Sequence, residues 1–336
     1  MAATIKDVAK VAGCSIKTVS RVINNEPHVT EEIRLRVQNA IRVVGYSPNL
    51  AARRLVLQKA YMICLLMYPG FYQPASALLS RIMDIGYSEN YDILIEPYYP
   101  THKTSKDRLA NMVTARRFDG FVTTPPCDMD GFVADLLITY KIPVVQINPL
   151  DRSKNIPYIA GNDYQDACLL TQHLIGLGHR RISFLNGPRN MRSSLDRLHG
   201  YRDTLARHGI PYDPALIGNS EFNFDGGYTA AQILLKSPHP PSAIYAGSDE
   251  AAYGVIYAAQ EMGVQIPAQL SVCGHDDLIF SKTIWPGLTT IHQPIDEITE
   301  QAVLLLIDIL KGNPPDPLQI ILPSRLIVRG STAKAA

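Results

Sequence analysis

At 336 residues, 46% hydrophobic and 19% charged, the chain has room for two or three domains and the balance of an ordinary soluble globular protein. No apolar run is long enough to span a bilayer, and the start, MAATIKDVAK, lacks the apolar core and cleavage site of a secretory signal. The five cysteines (Cys14, Cys64, Cys127, Cys168, Cys273) are scattered and form no C-x-x-C pair, which argues against a disulfide frame or a zinc site and predicts a reducing, cytoplasmic setting.

The net charge of +1 conceals an asymmetry. Ten Lys/Arg against four acids put +6 on the first 60 residues, leaving −5 for the other 276. A basic head on a mildly acidic body is the footprint of a nucleic-acid-binding module, because neutralising phosphates and releasing counterions supplies most non-specific affinity.

Within that head, TIKDVAKVAGC and SIKTVSRVIN read as two short helices joined at Gly13. Thr4 and Ser15 stand at N-cap positions, Ala9 is small enough for a helix crossing, and Gly13 suits a turn that needs positive φ. Val19, Val22 and Ile23 turn inward, which leaves Ile16, Lys17, Ser20 and Arg21 on the other face. That mix suits a major groove, with Arg and Lys for guanine edges and an aliphatic side chain for thymine methyls. After the loop NEPHVT, which carries His28, a third helix is predicted from about Thr30 to Val44. Its buried stripe is Ile33, Val37, Ala40, Ile41 and Val44, and Gly45 ends it. Next comes YSPNLAARRLVLQKA. Pro48 breaks the chain, Asn49 can cap a short helix, and Leu50, Ala51, Ala52 and Leu55 stand beside Arg53 and Arg54. Alone, such a segment is marginal as a helix, and it gains order by docking in a minor groove.

These sixty residues resemble the headpiece and hinge of the lactose-repressor (LacI/GalR) family of bacterial transcription regulators. FDGFV, GHRRISFLNGP, RLHGYRDTL, SDEAAYG, LSVCGHDD and LTTIHQP extend the resemblance over essentially the whole chain. It implies that Ile16, Lys17 and Arg21 read bases and that Thr4, Ser15, Thr18, Asn24 and His28 contact phosphates or cap helices. Leu55 matches the paired leucines that enter the minor groove at the operator centre, with Asn49, Ala52 and Arg53 beside it.

The body reads independently as α/β. Eight apolar runs, from YMICLLMY to LTTIH, alternate with helix-length segments, as parallel sheets built from βαβ units require, and eight strands suggest two Rossmann-like lobes. The expected fold is therefore a three-helix helix–turn–helix headpiece (1–47), a hinge helix or linker (48–59) and a bilobal, periplasmic-binding-protein-like core (60–336). The resemblance implies that lobe one holds about 60–160 and 291–318, and lobe two about 161–288 and 320–332.

Ligands of open parallel sheets bind outside the carboxyl ends of the strands. The residues just past the strands include Tyr68, Tyr72, Thr124, Asn148, Gly187 to Arg197, Phe222, Ser248, Asp249 and Asp276, a set rich in the aromatics, amides and charged groups that carbohydrate binding uses. The resemblance implies that Arg197 and Asp276 bind the effector and that Phe222 stacks on it, although the run EFNFDGGY leaves Phe224 as an alternative. Asn148 stands where many members carry aspartate, and Ser193 and Ser248 fill positions that vary with the ligand. The arginines of GPRNMRSSLDR leave a sugar phosphate open as effector. A purine or nucleoside is a further alternative to a sugar.

No P-loop, G-x-G-x-x-G or G-x-S-x-G motif appears, so no catalytic site or cofactor is expected. His275, Asp276 and Asp277 are adjacent and cannot all face one ion, so no metal site is expected either. The reading is an allosteric DNA-binding regulator, a repressor rather than an enzyme or a transporter's solute-binding protein. It is expected in the bacterial cytoplasm, at the nucleoid when bound, on a pseudo-palindromic double-stranded operator. The sequence ends on VRGSTAKAA without a heptad-bearing tail, which predicts a homodimer. The resemblance places its interface on the stripe Ala77, Leu78, Ile82 and Ile85.

Overall fold

The structure, a computed structural model, describes residues 3–23, 29–46, 59–69 and 76–335. Asn24, His28, Asn49, Ala52, Arg53, Leu55 and Tyr72 lie outside the described residues, as do the side chains of Ala77 and Leu78. The chain divides into two compact units, Met1–Ala60 and Tyr61–Ala336.

The first unit contains helices α1 (Ile5–Ala12), α2 (Ile16–Ile23) and α3 (Glu31–Val44). Their apolar faces meet in a small core of Val8, Ala9, Ala12, Val19, Val22, Val37 and Ala40, with Ile33, Ile41 and Val44 packed against it. Gly13 and Gly45 end α1 and α3 in the left-handed conformation, at φ of 60° and 62°. A side chain there would be strained, so glycine fixes both stops.

The second unit is built on three sheets. The first has six parallel strands in the order β11-β5-β4-β3-β1-β2. In chain order these are β1 (Met62–Met67), β2 (Asp92–Pro97), β3 (Gly120–Thr123), β4 (Val144–Ile147), β5 (Tyr158–Gly161) and β11 (Gln319–Leu322). Alternate residues of β1 point to opposite faces, as a pleated strand requires. Ile63 and Leu65 pack under helices α4 (Ser76–Ser88) and α11 (Ile295–Lys311), and Cys64 and Leu66 under α5 (Lys103–Thr114) and α6 (Phe132–Thr139).

The second sheet is parallel, β7-β6-β8-β9, from β6 (Ile182–Asn186), β7 (Ile217–Asn219), β8 (Ala243–Ala246) and β9 (Ser271–Cys273). Helices α7 (Asp163–Gly176) and α8 (Arg192–Arg207) cover one face, and α9 (Phe224–Leu235) and α10 (Asp249–Glu261) the other. The antiparallel pair β10 (Thr290–His292) and β12 (Arg325–Ile327) joins this lobe, because Thr289 and His292 bridge to Cys273 and Asp276.

The two lobes are joined by three crossings, at Asn162, at Gln293–Pro294 and at Pro323–Ser324. Two lobe boundaries implied by the resemblance therefore shift. Residues 291 and 292 belong to lobe two through β10, and residues 320–322 belong to lobe one, where β11 pairs with β5 from Gln319↔Tyr158 to Leu322↔Gly161. Four of the twelve described strands, β5, β7, β11 and β12, escape the sequence reading. Each has only three or four residues, and the last three are partly exposed, so they leave no long apolar run. The expected interface stripe also fails at Ile82, which is 2% exposed in the core of lobe one with Ile85 packed against it. The helix exposes Met83 and Tyr87 instead.

Candidate functional site

In the head, both helix starts are built as the sequence predicts, with one inversion. Ser15 Oγ accepts the Thr18 N–H at 3.1 Å, and the two hydroxyls lie 2.9 Å apart. At Thr4 the hydroxyl instead donates to Asp7 Oδ2 at 2.7 Å, and the Thr4 N–H donates to the same oxygen at 2.9 Å. Those bonds hold the Asp7 carboxyl below its usual 3.8. The acid thus sits at the positive end of α1, where the helix dipole favours it. On α2, Val19 and Val22 are buried, while Ile16 and Lys17 are exposed and Ser20 and Arg21 half-buried. One helix therefore anchors by its valines and offers an aliphatic, a lysine, a serine and an arginine on its outer side.

In the core, the strand ends of lobe two converge on Arg197. This side chain rises from α8 and is 5% exposed. Its Nε and Nη2 lie 2.8 and 2.7 Å from Asp163 Oδ1, Nη1 donates to the Gly247 carbonyl, and Nη2 is 3.9 Å from Asp276 Oδ1. Burial works against the charge, but Asp163 and Asp276 more than offset it and raise the pKa further above the usual 12.5. Phe222 lies across the guanidinium, with 5.1 Å from its ring centroid to Cζ. Two glycines make room for that ring. A Cβ built on Gly187 would stand 2.2 Å from it, and one on Gly247 2.7 Å. Phe222 reaches this position with φ of 55°. Phe224 instead begins α9, stacked on Tyr228, tilted against Tyr253 and edge-on to Tyr257, so of the two phenylalanines in EFNFDGGY it is Phe222 that stands against Arg197.

Asp276 follows β9 in an unusual backbone conformation, φ 119°, fixed by its N–H on the Ile291 carbonyl at 2.9 Å. Its side chain keeps 28% exposure beside Arg197. Burial pushes its pKa well above 3.8, with Arg197 opposing and Asp249 adding to the rise. It is thus the acid of this cluster that faces outward.

The other expected effector residues separate into different tasks. Ser248 is buried and caps α10, its Oγ accepting the Ala251 N–H at 3.1 Å. Asn148, at φ 44°, accepts the Gly161 N–H on Oδ1 at 2.9 Å and so holds the end of β5. Ser193 is half-buried, one turn ahead of Arg197 on the same face of α8. Tyr68 packs edge-on against Tyr99 in lobe one. Arg192 is occupied, its Nε 2.9 Å from both oxygens of Asp196.

Three residues at the centre were not foreseen, Asp163, Asp166 and Gln293, and His275 was weighed only for an ion shared with Asp276 and Asp277. Gln293 Nε2 reaches His275 Nε2 at 2.7 Å and Asp163 Oδ1 at 3.3 Å. The sequence signal was a pair of acids in the first turn of a helix after a strand, in GNDYQD, which by itself indicates only a favourable helix start. As expected, the adjacent trio 275–277 diverges. His275 turns inward, Asp276 faces Arg197, and Asp277 bonds Arg329 and His292. His275 instead meets Asp163 and Asp166, and these three could hold a metal ion.

Residues 4–49 match bacterial regulatory proteins of the lacI family, and residues 171–332 match the periplasmic binding protein-like domain. The HTH-type transcriptional repressor PurR of Escherichia coli O139:H28 (strain E24377A / ETEC) is 30% identical over 332 residues, 98% of this chain and 97% of its own. The chain belongs to the lacI family. The lac repressor dimer bound to operator and the anti-inducer ONPF superposes on it with a TM-score of 0.80 and 26% identity, over 99% of this chain and 100% of the other. The regulator CelR in complex with cellobiose does so with a TM-score of 0.74 and 26% identity, over 98% and 99%. This lacI-family chain is a DNA-binding transcription regulator under allosteric ligand control, and not an enzyme. None of its described helices is long and apolar enough to cross a membrane.

Proposed function

We propose that the chain is a repressor that binds a pseudo-palindromic operator as a homodimer and is controlled by a sugar between its lobes. The observation that carries the effector reading is the grouping of Phe222, Arg197 and Asp276 at the strand ends beside the crossings. An aromatic ring meets the C–H faces of a pyranose, and a carboxylate facing the cleft can accept from two vicinal hydroxyls. Arg197 is already engaged by Asp163, so it orders this surface more than it grips a ligand by itself. A nucleoside would want a second aromatic face, and Phe222 is the single ring described against Arg197.

On the DNA side, the outer face of α2, residues Ile16, Lys17, Ser20 and Arg21, reads the major groove, and Ser15 and Thr18 steady its start. The minor-groove role of Leu55 rests on the sequence resemblance. Lobe closure on the effector shifts the equilibrium between two lobe arrangements, and operator affinity follows to the extent that the ligand prefers one of them. For the second copy, the aromatic surface of Tyr228, Tyr253, Tyr257 and Phe280 is a better face than α4, with Ile279 and Trp285 exposed nearby at 80% and 89%.

The test is a thermal-shift screen against sugars, sugar phosphates and nucleosides on the native chain and on Asp276→Ala. A ligand at 100 times its Kd adds roughly 2.7 kcal/mol of stability. A sugar hit that is lost in the variant, with operator affinity changed by the same sugar, supports the reading. A nucleoside hit, or a sugar hit that survives in the variant, overturns the sugar assignment or the site respectively.

A further inference from the structure

Beneath Arg197 lies a second constellation that the effector reading does not use. Asp163 and Asp166 stand three apart at the start of α7 and so share one face of the helix. His275, at the end of β9, points its Nε2 at them, 3.9 Å from Asp163 Oδ1 and 3.6 Å from Asp166 Oδ2. The three side chains are buried, at 3%, 1% and 0% exposure. Asp166 Oδ2 has no hydrogen-bond partner, and 3.6 Å to a ring nitrogen is too long to be one.

We propose that Asp163, Asp166 and His275 form a binding site for a divalent transition-metal ion, with Zn2+ the best fit. The donor atoms all lie within 4.8 Å of one another. Ligands about 2.0–2.2 Å from a tetrahedral ion stand about 3.3–3.6 Å apart, so the His275–Asp166 spacing is already that of a coordination edge, and Asp163 Oδ1 must draw in from 3.9 Å. One imidazole and two carboxylates suit zinc, whereas magnesium keeps its waters and wants oxygen alone. The Gln293 amide now lies 2.7 Å from His275 Nε2 and 3.3 Å from Asp163 Oδ1, so it must turn aside to admit the ion and can then present its oxygen as a fourth donor.

A further observation supports the site. The surrounding shell already orients the ligands, because the Tyr245 hydroxyl lies 3.3 Å from His275 Nδ1 and Arg197 holds Asp163. Asp163 and Asp166 follow the first crossing and Gln293 forms the second. An ion here would pin both crossings to lobe two.

The experiment is a calorimetric titration of the full chain, stripped with chelator, with Zn2+, Mn2+ and Mg2+ in parallel. One Zn2+ per chain is expected, with Mg2+ far weaker. Affinity should fall at least a hundredfold in Asp166→Asn and in His275→Gln, with circular dichroism and operator binding unchanged. No saturable binding, or equal binding in both variants, overturns the site. The first result means that protons balance the carboxylates, and the second that the ion sits on surface histidines. Anomalous scattering at the zinc edge from soaked native crystals decides the matter even if both variants fail to fold. A peak between residues 163, 166 and 275 supports the site, and a peak elsewhere or none refutes it.

Discussion

Asp163 and Arg197 form a buried pair, 2.7 Å between Nη2 and Oδ1, that ties α8 to the first residue past the first lobe crossing. The two side chains keep 6% and 3% exposure, so each charge depends on the other for compensation. Removing one partner of such a pair typically costs about 3–5 kcal/mol, because the other is left charged and dry. Asp163→Asn and Arg197→Met should each lose about that much in urea denaturation. The double variant should lose distinctly less than the sum. Strict additivity would mean that the pair is not the coupling element.

Gly187 has a narrower task, which is to leave space for the Phe222 ring. A Cβ there meets three ring carbons at 2.2–2.4 Å and no other atom as near. Gly187→Ala should therefore displace the ring from above Arg197 and weaken effector binding at least tenfold, with little effect on operator binding. Phe222→Leu in the Gly187→Ala background should recover part of the affinity, since the three closest contacts are all ring carbons. If Gly187→Ala binds effector normally, the ring does not form part of the site.

What the sequence disclosed and what it withheld divide along physical lines. The head was legible because its signals are local. Caps, a positive-φ glycine and a 3.6-residue apolar stripe all act within one helix of their target, and Val19, Gly13 and Ser15 behave as their neighbours dictate. Arg197, Phe222 and Asp276 could be placed by the rule for strand ends together with the family resemblance. Asp163, His275 and Gln293 could not, since Asp163, just past the first crossing, lies more than a hundred residues from the other two. Short exposed strands such as β7 and β11 failed for a different reason, because an edge strand has no need of an apolar run.

On the head, two kinds of substitution should separate cleanly. Ser15→Ala removes the acceptor for the Thr18 N–H and should cost about 1 kcal/mol of stability without changing which sequence is preferred. Lys17→Ala or Arg21→Ala should leave stability nearly unchanged but relax discrimination at one base pair by about 1–3 kcal/mol. Selection from a randomised operator library, alongside thermal melts, reads both. A uniform loss over all sequences in Arg21→Ala would assign that residue to phosphate rather than to base.

The acid limb of the stability curve should depend on Asp277. Its Oδ2 is 3.0 Å from His292 Nδ1, and Oδ1 bonds Arg329 beyond β12, so the carboxylate fastens the last strands to the loop that carries Asp276. Burial works against the charge, but Arg329 and His292 outweigh it and hold the pKa below 3.8. A depressed acid contributes stability that is present above the unfolded value and lost as pH falls through the folded one. The penalty of Asp277→Asn should thus be full at pH 7, about 1.5–3 kcal/mol for a charge-assisted pair whose partners Arg329 and His292 are partly exposed. It should shrink only below about pH 4, as the native carboxylate protonates. Urea melts of both proteins from pH 7 to pH 3 measure it, and a penalty that shrinks already between pH 7 and pH 5 would assign the effect to a different group.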